Sequence, residues 1–290
     1  MSEILTCISP VDGSTYAERP AAEDATIRAA LDRAAACQAI WRRMPVAERA
    51  MVCVRMVDAF IADKEAISEE LAWQMGRPVR YGAGEIGGVE ERARHMISIA
   101  EASLADRPAA DKPGFTRFIR RQPLGTVLVV APWNYPYLTA VNAIVPAIMA
   151  GNAVILKHAT QTPLCGERIA QAFAAAGAPE GLFQVLHLTH DQTARVVAAP
   201  QIDFVAFTGS VPGGVAMEQA AAGRIRAVEA DASRAAIILA VVLRGSLAVA
   251  VAAGPTDEIV AFGPDLLGRR HRHGRQRVRE RHDGRRRGRS

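Results

Sequence analysis

Three polar side chains follow three short apolar runs of this sequence. Asn134 comes just after the run 126–131, Lys157 ends the run 153–157, and Ser210 follows the run 204–208. In an open parallel sheet the carboxyl ends of the strands meet at one edge, where ligands bind. An amide, an ammonium and a hydroxyl at that edge could donate hydrogen bonds to a developing oxyanion, to ribose hydroxyls and to a phosphate.

Each of these residues also has a simpler interpretation. Asn134 could merely close the Pro-flanked turn that begins at Pro132, and Lys157 could be a solvated lysine at the rim of a sheet. Gly209 and Ser210 could form an ordinary turn from a strand into a helix, although Gly209 would also let the backbone turn closely around a phosphate. The usual G-x-G-x-x-G fingerprint does not follow the first predicted strand of the sheet. None of the three residues predicts a binding site alone. The prediction rests on their shared place at the carboxyl edge of the sheet.

The elements that would position these residues alternate along the chain. Strands are predicted at 126–131, 153–157, 183–188 and 204–208, and helices at 138–150, 163–176, 191–199 and 212–222. This alternation predicts an α/β fold with a doubly wound, Rossmann-like parallel sheet. Upstream, the apolar spacing predicts helices over 24–43, 46–75 and 85–105, followed by an exposed strand over 115–121.

Four regions are expected from these patterns. They are an N-terminal helical region (1–114) that packs on a cofactor domain (115–228), an irregular segment (229–268) and a basic low-complexity tail (269–290). The tail contains eleven Arg against one Glu and one Asp, whereas the whole chain has a net charge of only +5. The rest of the chain is therefore slightly acidic, which argues against a nucleic-acid-binding body.

The sequence from Ala230 to Ser290, which includes the basic tail, has two interpretations. It could be an arm that binds nucleic acid or an anionic surface, although it lacks aromatic residues for base stacking. Alternatively, it could be out-of-frame translation of a G+C-rich gene, which yields text rich in Arg, Gly, Ala and His. We favour the second interpretation, and a nucleic-acid partner is not expected.

The cysteines and the N-terminus indicate the compartment. The four cysteines show neither C-x-x-C spacing nor a paired His pattern, so no metal site and no disulfide framework are predicted. The N-terminus lacks the features of a secretory signal. The apolar stretch 235–254 is interrupted by Arg244 and Gly245, so no membrane span is predicted. These features favour a cytoplasmic protein in a reducing compartment.

Seven short motifs occur in a fixed order between residues 24 and 228. Together they resemble the N-terminal half of an aldehyde dehydrogenase, in which the same motifs follow at similar separations. The motifs are Glu48-Arg49, Gly76-Arg-Pro78, Gln122-Pro-Leu-Gly125, Ala131-Pro-Trp-Asn134, Gly151-Asn-Ala-Val-Ile-Leu-Lys157, Gln161-Thr-Pro163 and Phe207-Thr-Gly-Ser210.

The resemblance implies a cofactor, NAD or NADP, and a small aldehyde substrate. In that family the counterpart of Asn134 stabilises the oxyanion that forms when a cysteine thiolate attacks the aldehyde. Pro132, Trp133 and Lys157 match cofactor-contacting positions, with Lys157 at the adenosine ribose. Gly209 and Ser210 match the turn that holds the pyrophosphate. The implied reaction runs through a thiohemiacetal, hydride transfer to nicotinamide and hydrolysis of a thioester.

The chain departs from the family pattern at two places. Thr160 stands where the family often has a Glu that binds the ribose diol, which makes NADP admissible as well as NAD. Downstream, Glu229 stands where the family's general base stands, but the glycines that shape its turn are replaced.

The nucleophilic cysteine has no counterpart, because no cysteine follows Cys165. The catalytic domain and most of the oligomerising arm also lack counterparts. The expected function is therefore an aldehyde dehydrogenase family oxidoreductase that is truncated and catalytically impaired. The alternatives are a noncatalytic nucleotide-binding fragment or pseudoenzyme, and a nucleic-acid binder that acts through its basic tail.

Overall fold

The structure, a computed structural model, describes residues 2–110, 113, 116–222 and 227–232. For 227–232 only the course of the backbone is described. The predicted basic tail (269–290) and the predicted irregular segment beyond Ala232 lie outside these residues. No helix within the described ranges is both long enough and apolar enough to cross a membrane.

Eight helices and nine strands are formed by the described residues. In chain order they are β1 (Ile4–Ile8), β2 (Thr15–Pro20), α1 (Asp24–Trp41), α2 (Val46–Ala62), α3 (Lys64–Met75), α4 (Val79–Leu104), β3 (Arg107–Pro108), β4 (Phe118–Ile119), β5 (Thr126–Ala131), α5 (Pro136–Met149), β6 (Ala153–His158), α6 (Pro163–Ala175), β7 (Phe183–Val185), α7 (His190–Ala198), β8 (Phe204–Gly209), α8 (Val211–Ala221) and β9 (Ala227–Ala232).

The centre of the molecule is a five-stranded parallel sheet. Its strand order is β7-β6-β5-β8-β9, so the chain moves outward from β5 through β6 to β7 and then returns to the other side of β5. Helices cover both faces, and every residue of β5 and β6 is buried. The predicted doubly wound α/β fold is confirmed.

Two apolar cores lie on the two faces of this sheet. Because successive side chains of a strand point to opposite faces, Val127 and Val129 of β5 enter one core while Leu128 and Val130 enter the other. The first core is formed mainly with α2, α4, α5 and α6, and the second with α1, α7 and α8. The N-terminal helices thus pack directly on the sheet.

The N-terminal helices differ from the prediction in their boundaries. The single helix predicted over 46–75 is divided at Asp63, whose backbone (φ −97°, ψ 17°) lies outside the helical range. No Pro or Gly marks this break, so the periodic pattern runs through it. The helix predicted from Glu85 begins earlier, at Val79, directly after Pro78. Proline fixes φ without needing a backbone donor, which suits the start of a helix.

Three strand assignments were incomplete. The hairpin of β1 and β2 was not predicted, and the exposed strand predicted over 115–121 is reduced to β4, which pairs antiparallel with β3. The strand predicted over 183–188 ends at Val185, because β7 is the edge strand and pairs with β6 over only three residues.

Candidate functional site

The carboxyl edge of the sheet brings the predicted site residues to one side of the molecule. Val130 of β5 pairs with Lys157 on β6 and with Phe207 on β8, so these residues lie at one level across three parallel strands. Asn134 and Ser210 follow Val130 and Phe207 beyond the strand ends. The chain reverses its winding direction between β5 and β8, and ligands of open α/β sheets bind in the crevice at such a point.

Lys157 is the most unusual residue at this edge. It is only 6% exposed, so the interpretation as a solvated rim lysine is wrong. Its ammonium has no hydrogen-bond or ion-pair partner within the part of the chain that the structure describes, and burial lowers its pKa. A buried cation without a partner is costly, so Lys157 is suited to receive ligand oxygens.

Lys157 is flanked by two histidines that add no positive charge of their own. His158 and His187 lie close enough that the lysine charge contributes to lowering the pKa of each imidazole, after the larger effect of burial. Both imidazoles are therefore neutral near pH 7. Thr160 lies in the turn between β6 and α6, three residues after Lys157 and at the same edge. This end of β6 can accept an anionic group without meeting a carboxylate at position 160.

The loop after β5 presents Asn134 to solvent. The side chains of Trp133 and Asn134 are exposed and Pro132 is partly buried. The Asn134 amide makes no hydrogen bond within the described residues, whereas its backbone carbonyl accepts one from Arg77 Nη2 at 3.2 Å. The amide is thus available as a donor at the surface.

The turn into α8 offers fewer donors than its sequence predicts. Ser210 is the N-cap of α8, and its hydroxyl oxygen accepts the Gly213 N–H at 3.3 Å. Pro212 has no N–H, so the Ser210 hydroxyl proton and the Val211 N–H are the donors left for a phosphate. Gly209 is the last residue of β8 and does not have a positive φ. A Cβ there would lie 2.6 Å from the Phe207 ring, so this glycine makes room for that ring.

Glu229 lies on β9, in register with Ala206 of β8. The strand continues past it to Ala232, and the orientation of its side chain is not described. The catalytic roles assigned to Asn134 and Glu229 stay predictions. So do the cofactor contacts assigned to Pro132, Trp133, Lys157, Thr160, Gly209 and Ser210.

The cysteines are all remote from solvent. Cys7, Cys37, Cys53 and Cys165 are buried free thiols. Burial raises the pKa of Cys53 to about 12 and raises the pKa of Cys165 still further. Thiolate is the nucleophilic form of cysteine, so none of these residues is prepared to attack a substrate.

Two residues that touch the Asn134 loop were missed by the sequence reasoning. Arg77 and Glu85 form a buried ion pair beside this loop, and Glu85 also bonds the start of α5. The motif Gly76-Arg-Pro78 marked the place, but it was interpreted only as the end of a helix. Arg77 and Glu85 lie too far in sequence from the loop and from α5 for a local pattern to connect them.

Comparison with known proteins shows to which family the chain belongs. The model of the aldehyde dehydrogenase family matches residues 1–253. A succinate-semialdehyde dehydrogenase (NADP(+)) from Mycobacterium tuberculosis is 33% identical over 224 residues, which are 77% of this chain and 49% of that protein.

Solved structures agree with this match. An NAD-dependent benzaldehyde dehydrogenase from Corynebacterium glutamicum superposes with a TM-score of 0.74 at 28% identity, covering 79% of this chain and 51% of its own. An NADP-dependent glyceraldehyde-3-phosphate dehydrogenase from Bacillus halodurans, complexed with NADP, gives 0.73 at 30% identity, covering 79% and 49%. The chain thus spans about half the length of these relatives. Because the family model covers most of its residues, the chain belongs to the aldehyde dehydrogenase family.

Proposed function

We propose that this chain binds a pyridine dinucleotide, NAD or NADP, at the carboxyl edge of its sheet. The observation that carries the proposal is the buried side chain of Lys157, whose ammonium has no partner within the described residues. It lies at the edge where Asn134 and Ser210 also lie, beside the point at which the sheet reverses its winding. Ligand oxygens at Lys157 would replace the hydration that burial has removed.

Different residues of the chain would bind different parts of the dinucleotide. The Ser210 hydroxyl and the Val211 N–H, at the positive end of α8, would hold the pyrophosphate. Lys157 would bond the adenosine ribose or attract a 2′-phosphate, and the loop 132–135 would line the other end. When bound, the nicotinamide supplies a hydride acceptor. We place this binding in the region 115–228, with 1–114 packed against it.

We further propose that NADP is bound at least as well as NAD. Thr160 brings no negative charge near a 2′-phosphate, whereas Lys157 brings a positive one. Two of the similar proteins named above are NADP-dependent, which supports this choice, and one is NAD-dependent.

Isothermal titration of both cofactors into the full chain tests this preference. The variant Thr160→Glu should weaken NADP binding more than NAD binding, because a carboxylate would repel the 2′-phosphate. A wild-type chain that strongly prefers NAD would contradict the preference and leave the site itself intact.

For catalysis, we propose that this chain does not oxidise an aldehyde by itself. The covalent route requires a thiolate near Asn134, and all four thiols of the chain are buried. Asn134 could still donate its amide N–H to an oxyanion, and Glu229 could serve as a base, if a thiol were supplied from elsewhere. The class of substrate would then be a small aldehyde.

An assay with an aliphatic aldehyde and NADP tests whether the chain oxidises the aldehyde. The reduced cofactor is followed by its absorbance. We expect no turnover. Turnover that is lost in Cys165→Ser would show that this residue is reachable and would overturn the proposal.

We also propose that the sequence after Val228 contains a change of reading frame. The match ends at residue 253, whereas the arginine-rich text fills 269–290. Reading the coding DNA in its other two frames tests this, and a later Cys in a family-like context there would support it.

The unpaired cysteines fit a cytoplasmic location.

A further inference from the structure

A buried ion pair lies beside the loop that carries Asn134. Arg77 is in the connection between α3 and α4, and Glu85 is on α4. Arg77 Nη1 donates to Glu85 Oε2, and the two side chains are 12% and 0% exposed. Within the described residues this is the most deeply buried ion pair, and it lines a surface cleft of about 530 Å³ together with Tyr81, Tyr135 and Leu138.

Glu85 extends from this pair to the start of α5. Its Oε1 accepts the backbone N–H of Tyr137 at 3.0 Å and that of Leu138 at 3.2 Å. Tyr135, the N-cap residue of α5, provides no side-chain hydrogen bond of its own. The carboxylate of another helix therefore satisfies the free N–H groups at the positive end of α5.

Arg77 extends from the same pair to the loop itself. Its Nη2 donates to the backbone carbonyl of Asn134 at 3.2 Å. Its guanidinium carbon lies 4.4 Å from the centroid of the Tyr135 ring, within the range of a cation–π contact. Arg77 thus contacts Asn134 and Tyr135, whereas Glu85 contacts the start of α5.

We propose that Arg77 and Glu85 are positioning residues that fix the backbone from which the Asn134 side chain extends. This proposal rests on the proposed function only in the use made of Asn134. A role confined to capping α5 would need Glu85 alone. Arg77 instead contacts the loop itself, through its hydrogen bond to the Asn134 carbonyl and its cation–π contact with the Tyr135 ring. A planar guanidinium can make these contacts and the Glu85 bond at once, whereas a lysine ammonium cannot.

The three asparagines of the sequence make the proposal directly measurable. They are Asn134, Asn142 and Asn152, so protein labelled with ¹⁵N only at asparagine gives three backbone signals and three side-chain NH₂ pairs. Each has a distinct environment. The side-chain oxygen Oδ1 of Asn142 accepts a hydrogen bond from Arg92 Nη1 at 3.3 Å. The side-chain nitrogen Nδ2 of Asn152 donates one to the backbone oxygen of Ala147 at 3.0 Å. The signals that disappear in Asn134→Ala identify Asn134.

The test compares Arg77→Gln with Arg92→Gln in the full chain. We expect Arg77→Gln to shift or split the backbone and NH₂ signals of Asn134 while those of Asn142 and Asn152 stay in place. Arg92→Gln, on α4 like Glu85, should do the reverse by moving Asn142 and sparing Asn134. If Arg77→Gln loses all three sets of signals, it has unfolded and Arg77→Lys decides. That variant keeps a cation near Glu85 and should still move Asn134.

Unchanged Asn134 signals in a folded Arg77 variant would overturn the proposal. Adding NADP to the wild-type protein separates this outcome from a failure of the proposed function. If NADP binds nowhere on the chain, the proposed function fails, yet the effect of Arg77 on Asn134 is still decided by the same spectra.

Discussion

His158 predicts how the stability of this protein depends on pH. It ends β6, and its Nε2 lies 3.2 Å from the carbonyl oxygen of Pro136. Its Nδ1 lies 3.1 Å from the hydroxyl of Thr162. Because a carbonyl can only accept, Nε2 carries the proton and Thr162 donates to Nδ1. The neutral ring is thus satisfied on both sides, and burial, aided by the charge of Lys157, lowers its pKa to about 4.

The size of the effect follows from this pKa. Between the ordinary value of 6.5 and the folded value of about 4, the unfolded chain binds a proton that the native protein does not. The free energy of unfolding therefore falls as the pH is lowered through this window. At about 1.36 kcal/mol per pKa unit, the loss from His158 between pH 7 and pH 5 is about 2 kcal/mol.

Denaturant unfolding of the wild type and of His158→Gln at these two pH values measures the loss. Glutamine can still donate to Pro136 but does not titrate, so the variant should lose about 2 kcal/mol less than the wild type on acidification. His187 and Glu167, whose pKa values are also lowered, act equally in both proteins. Equal pH dependence of the two proteins would refute the assignment of the effect to His158.

Two further predictions concern the free energy of unfolding at neutral pH. Gly125→Ala should cost about 3 kcal/mol or more, because φ is +135° and a Cβ would lie 1.9 Å from Asp203 Oδ2. Gly87→Ala, at a helical site with open space, should instead stabilise by about 0.5–1 kcal/mol, and thermal melting compares the two. Arg49→Met should cost about 2 kcal/mol, since the charged bond from Nη1 to Met149 O (2.8 Å) is lost. Arg49→Lys should recover less than half of this in denaturant unfolding, and full recovery would contradict a need for the guanidinium.

The sheet could be predicted because its strands are buried on both faces. Such strands appear as short apolar runs separated by helical stretches, and Gly and Pro mark their ends. The edge that gathers Asn134, Lys157 and Ser210 then follows from the parallel order alone. The hairpin of β1 and β2 could also have been found, because Asp12 and Gly13 form its turn and Gly13 has a φ of +78°.

The remaining features depend on tertiary contacts that a single sequence does not contain. Lys157 is buried because β6 lies between two other strands and is covered on both faces, which composition cannot show for a polar residue. The Arg77–Glu85 pair joins positions eight residues apart to a carbonyl 57 residues away. The break at Asp63 lies inside an unbroken helical pattern, so no local signal marks it.

The most direct test of the account is the titration of NADP into the full chain and into Lys157→Met. If Lys157 holds ligand oxygens, its loss should weaken NADP binding by about tenfold or more, the worth of a charged hydrogen bond. The same variant should melt at a higher temperature, because an apolar side chain has replaced a buried cation that has no partner within the described residues. Equal affinity in the two proteins, or no binding by the wild type, would contradict the assignment of this edge as a dinucleotide site.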